Sequence, residues 1–131
     1  MSDVPIREHA FLSDCGTSAL VTKGGSVIWM CSPRCDAQSI LGRLLDPEAG
    51  HFSIRPMDES AEVRWAYRRA TLVLDTVWTT ASARVVGTAV LALGAHERGH
   101  DLGRSSPEVL LRRIECVDGR SMFGSSSRNP G

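Results

Sequence analysis

The chain has 131 residues, 42% of them hydrophobic and 23% charged, with fifteen Lys and Arg balancing fifteen Asp and Glu. That length fits one domain able to bury about two-thirds of its unfolded surface. The zero net charge excludes the basic footprint of a nucleic-acid binder, and no run approaches the ~18 to 20 apolar residues of a membrane span.

The first segment, Met1-Ser2-Asp3-Val4-Pro5-Ile6-Arg7-Glu8-His9, is charged and lacks an apolar signal core, so the cytoplasm is the expected location. Ser18 to Thr22 and Ser26 to Cys31 alternate apolar and polar residues around Lys23-Gly24-Gly25, which predicts a hairpin. Ala37, Ile40, Leu41, Leu44 and Leu45 then recur at helical spacing. Asp36 would cap that helix and Asp46-Pro47 would stop it.

Alternation resumes at Phe52 and Ile54. Val63, Trp65 and Tyr67 share one strand face and Arg64 and Arg68 the other; Leu72, Leu74 and Trp78 share a face in the following run. Arg84 to Leu93 and Val109 to Val117 complete the strands, with a loop from Gly99 to Pro107 between them. The sum is an all-β chain, an antiparallel β-sandwich with one short helix, occupying residues 1–119. Residues 120–131, rich in Ser and Gly with little to bury, read as a disordered tail.

Four blocks in order carry a resemblance. They are Leu12-Ser13-Asp14-Cys15-Gly16-Thr17-Ser18-Ala19-Leu20-Val21; Gly25-Ser26-Val27-Ile28-Trp29-Met30-Cys31-Ser32-Pro33-Arg34-Cys35-Asp36 with Leu44-Leu45-Asp46-Pro47; Tyr67-Arg68 leading to Thr71-Leu72-Val73-Leu74-Asp75-Thr76; and Glu97-Arg98-Gly99-His100 before Pro107-Glu108-Val109-Leu110. Together they resemble the N-terminal domain of glycoside hydrolase family fifteen, the bacterial trehalases and glucoamylases, over residues 5 to about 119. The resemblance implies a β-sandwich joined to a barrel of paired α-helices, and an inverting hydrolysis by a carboxylic acid and a carboxylate. In the family both groups are glutamates of that barrel, so no catalytic residue is assigned here. Three family positions differ: Ile28 replaces an aspartate, Cys35 an aromatic, and an aspartate is missing around Gly87-Thr88-Ala89. The Ser- and Gly-rich tail, where the family continues in strand-like alternation, suggests a truncated or frame-shifted product.

The resemblance thus implies a non-catalytic accessory domain that packs against a helical glycosidase domain, in cis or in trans. Glucosides such as trehalose are the expected ligands of the whole, no cofactor is required, and an uncovered apolar face would give weak self-association. Trp29, Arg34 and Asp36 are the candidate contacts to substrate or barrel, since tryptophan stacks on sugar faces while arginine and aspartate hydrogen-bond hydroxyls. Their plainer reading is a core tryptophan, a surface arginine and a helix cap.

A stand-alone carbohydrate-binding module is one alternative. A zinc peptidase is another, because His96-Glu97-Arg98-Gly99-His100 matches H-E-x-x-H. Gly94 and Gly99 weaken the helix that motif needs, and Ser106 stands where an extended motif would carry a third histidine. A polar loop without metal is therefore preferred. Cys31 and Cys35 lack a second pair nearby, so all four cysteines read as free thiols, several of them buried.

Overall fold

A computed structural model describes residues 5–128 and shows an all-β sandwich of two antiparallel sheets. The strands are β1 (His9–Ser13), β2 (Ser18–Thr22), β3 (Ser26–Cys31), β4 (Ser39–Leu41), β5 (His51–Pro56), β6 (Glu62–Tyr67), β7 (Leu74–Thr79), β8 (Ala83–Leu91), β9 (Leu110–Gly119) and β10 (Phe123–Arg128). The first sheet runs β1-β2-β3-β5-β10, with β4 paired to β3, and the second runs β6-β7-β8-β9. The expected hairpin is present as β2 and β3, with a bulge between Leu20 and Val21.

Alternation decides what lies between the sheets. Leu12, Ala19, Val21, Val27 and Met30 from the first sheet meet Leu74, Ala89 and Leu91 from the second in one buried cluster. A second cluster forms around Trp78, Ala83 and Val85. Trp78 meets Phe123 edge to face, with ring centroids 5.4 Å apart at 77°, a favoured aromatic geometry. Beneath the same ring lies Gly87, where any Cβ would stand 2.6 Å from a ring carbon of Trp78.

Tyr67 and Arg112 fasten the sheets at their edges. The Tyr67 hydroxyl accepts from the Phe11 N–H at 2.8 Å and donates to the Phe11 carbonyl at 2.7 Å. It ties β6 to β1 and occupies backbone groups that an edge strand would otherwise expose. The Arg112 guanidinium donates to the carbonyls of Gly25 (2.8 Å) and Phe52 (3.4 Å) and lies 5.3 Å from the Phe52 ring centroid. Desolvation lowers its pKa to about 10, so it stays protonated near neutral pH and its charge is met by carbonyl dipoles and the ring face.

Two expectations are corrected. Residues 37–45 form no helix: Ser39–Leu41 are strand β4, and Leu45 and Asp46 donate to the Gly42 carbonyl in a turn. Gly42 weakens a helix there. The C-terminal half of β3 also needs a partner, since β5 pairs β3 only at Ser26 and Val27. β4 supplies one at Met30 and Cys31, and the Leu44 N–H binds the Ile28 carbonyl. The tertiary ladder overrides the stripe, leaving Ile40, Leu44 and Leu45 exposed.

The second correction concerns the 120–131 tail. Phe123–Arg128 pair with β5 from Phe123 opposite Pro56 to Arg128 opposite His51; residues 129–131 lie outside the described residues. The serines need bury no side chain, because their backbone completes the β5 ladder while Phe123 supplies the apolar anchor. Of the four thiols, all free, only Cys31 is buried; Cys15, Cys35 and Cys116 are exposed.

Candidate functional site

Three loops converge at one end of the sandwich. They are the β1–β2 turn, the β3–β4 loop with its cis Ser32–Pro33 bond, and the long β8–β9 loop. Asp14 is fully buried in the first, its Oδ1 accepting from the N–H groups of Gly16 (2.8 Å) and Thr17 (2.6 Å). Such an Asx turn spends Oδ1 on its own backbone, while Oδ2 is buried without a hydrogen-bond partner among the described residues. Cys35 donates its N–H to the Gly16 carbonyl at 3.1 Å, Ser106 donates to the Asp14 carbonyl at 3.3 Å, and Ser32 donates to Glu108 at 2.8 Å. Blocks far apart in sequence are thus stitched into one rim.

The H-E-x-x-H segment belongs to this rim and is no zinc helix. His96 adopts φ 64°, and only Gly99–Asp101 make a single 3-10 turn, so the two histidines do not share a helical face. Glu97 accepts from the N–H groups of Gly103 (2.9 Å) and Ser105. Burial raises its pKa, but those backbone donors, with Gly94, outweigh the effect and hold the carboxyl below its usual value. Its role is to fold the loop. Among the described residues no group of three or more His, Cys, Asp or Glu is arranged to hold a metal ion.

Arg34 and Asp36 are brought together on the β3–β4 loop, Nε to Oδ1 at 3.1 Å, with side chains 76% and 73% exposed. Asp36 caps no helix. Trp29 is half-buried on β3, on the face turned away from the other sheet. Phe11 pairs with Leu20 and Leu20 with Trp29, so three apolar side chains form one row across the outside of β1, β2 and β3. Phe11 is 48% exposed. Exposed Ile40 and Leu44 lie on the segment bonded along β3 beside this row.

The Phe11–Leu20 part of that row was not predicted. Its signal lay in β1 and β2, where both alternate registers carry apolar residues, as strands covered on both faces do. Other block residues prove structural. Arg68 donates from Nε and Nη2 to Asp75 at 2.7 and 3.1 Å, and Thr88 donates to Asp75 at 2.7 Å. A separate open cleft of about 400 Å³ at the opposite end is lined by Trp78, Val63, Pro56, Met57 and Arg55, among others.

The sequence matches the model of the family described as "Trehalase-like, N-terminal" over residues 1–105. The chain belongs to that family. It is 35% identical over 124 residues to a trehalase of Mycolicibacterium smegmatis, covering 88% of this chain and 19% of that protein. A trehalase of Mycobacterium tuberculosis is 35% identical over 127 residues, covering 88% and 18%. Trehalase 1 of Sulfolobus acidocaldarius is 36% identical over 89 residues, covering 68% and 16%. This trehalase-like N-terminal chain therefore spans about a fifth of the length of the curated relatives it matches. No solved structure matches it. None of the described helices is long and apolar enough to cross a membrane.

Proposed function

We propose that the chain is a non-hydrolytic accessory domain that packs against, and supports, the helical catalytic domain of a trehalase-like glycoside hydrolase in the cytoplasm. The observation that carries this reading is the apolar row Phe11–Leu20–Trp29 on the outside of the first sheet. Nothing among the described residues of the other sheet faces it, and an apolar sheet face is stable only where something covers it. The catalytic domain is the natural cover, given that the matched relatives are about five times longer than the segment they share with this chain. Arg34 and Asp36 stand on the adjoining loop, where their exposed fork and carboxylate can reach the catalytic domain or a glucoside such as trehalose bound to it.

The test is complementation. A mycobacterial trehalase expressed without its matched N-terminal segment is mixed with this chain, and complex formation and trehalose hydrolysis are followed. The expected result is no hydrolysis by the chain alone, formation of a complex, and weakening of that complex by Trp29→Ala or Phe11→Ser. Hydrolysis by the isolated chain would overturn the accessory reading. Trehalose binding by the isolated chain, with no complex, would favour a stand-alone carbohydrate-binding module.

A further inference from the structure

The second sheet ends on β9, and among the described residues this ten-residue strand pairs on one side only. A long unpaired edge is a template for another strand. Three apolar side chains along it reach solvent: Leu111 (52% exposed), Ile114 (36%) and Val117 (57%). Between them stand Arg113 and Glu115, side by side on the outer face and paired with each other at 2.9 Å.

The order Leu111-Arg112-Arg113-Ile114-Glu115-Cys116-Val117 is complementary to its own reverse about Ile114. Two β9 strands placed antiparallel about a two-fold axis at Ile114 set Arg113 opposite the second copy's Glu115, and Glu115 opposite its Arg113. Opposite charges facing across a ladder are favourable, and like charges are unfavourable. Moving the axis by one residue either way sets Arg113 against itself or Glu115 against itself. Charge therefore selects one register. The bulge in the β8–β9 pairing places Val117 as the extra residue between the partners of Arg84 and Val85, and leaves residues 110–116, with both charges, in regular register.

We propose that β9 is a self-association edge, joining two copies of this chain through an isologous β9–β9 contact centred on Ile114 into one continuous eight-stranded sheet. The contact uses the edge of the second sheet and leaves the outer face of the first sheet free. It therefore stands or falls separately from the docking reading above.

The test is sedimentation of the 131-residue chain across a wide concentration range, with two charge variants. Wild type is expected to show a concentration-dependent dimer. Arg113→Glu and Glu115→Arg each place like charges opposite twice per contact, and each is expected to weaken the dimer by about tenfold or more. In an equimolar mixture of the two variants, the doubly acidic edge of one meets the doubly basic edge of the other, and dimer is expected to return. Both side chains are exposed, so circular dichroism should be unchanged. Should a variant fail to fold, hydrogen exchange on wild type decides: alternate β9 amides gain protection as concentration rises. A monomer at all concentrations, a dimer indifferent to both substitutions, or no recovery on mixing would each overturn the proposal.

Discussion

Trp78 and Trp29 sit on strands of opposite sheets and meet opposite environments. Trp78 on β7 points between the sheets, 2% exposed, with Phe123 at its edge and Gly87 beneath it. Trp29 on β3 points outward, half-buried, in a row with Leu20 and Phe11. The second core cluster is built on Trp78, with Phe123 and Gly87 fitted against its ring. The outer row lies outside both core clusters and contributes little to closing the sandwich. A residue type thus says little by itself; the face on which the pleat places it decides whether it holds the fold or serves something beyond it.

Truncating the two rings in turn gives the sharpest contrast. Trp78→Ala empties a buried site and should cost about 3 to 5 kcal/mol in urea denaturation. Trp29→Ala leaves a surface depression that water fills, and should cost about 1 kcal/mol or less in the isolated chain. Equal losses would mean that the outer row is part of the fold's own core.

Gly87→Ala tests the same interior from the other side. The added methyl would meet the Trp78 ring far inside van der Waals contact, so the ring or the strand must shift, at about 1 to 3 kcal/mol. The double variant Gly87→Ala with Trp78→Ala should lose less than the sum of the two, because the methyl then enters space already vacated. Strict additivity would show that the two positions do not share one packing site.

The sandwich was legible because its strands alternate: Leu74, Thr76 and Trp78 point inward, as do Val85, Gly87 and Ala89. The stretch from Ala37 to Leu45 misled because an apolar 3.6-residue stripe says nothing of the unpaired half of β3 that captures Ser39–Leu41. Ser125-Ser126-Ser127 misled for the converse reason, since a strand held by backbone pairing to β5 needs no apolar pattern. Of the candidate site, the Arg34–Asp36 proximity follows from two-residue spacing. The rim of Asp14, Gly16, Cys35 and Ser106 depends on contacts between distant loops, which no local pattern encodes.

Two ion pairs extend the contrast between what the fold uses and what it leaves free, with the smallest expected effect. Asp75 receives Arg68 in a two-pronged contact and Thr88 as well, with its side chain 27% exposed, whereas Asp36, 73% exposed on an open loop, meets only Arg34 among the described residues. The hydrogen bond from Arg68 is the main cause that holds the Asp75 carboxyl below its usual range; desolvation opposes it, and Thr88 adds to it. Folding therefore favours the deprotonated form, so the unfolded chain binds more protons in the acid range. The stability this group lends is complete above the unfolded carboxylate value of about 4 and is lost as pH falls through the lower folded value. Asp75→Asn should lower the thermal midpoint at neutral pH and make its decline on acidification shallower, while Asp36→Asn, which removes only an exposed pair, should lower the neutral midpoint little. The same acid limb in wild type and Asp75→Asn would show that Arg68, Asp75 and Thr88 are held together by the strands they stand on, and contribute little in return.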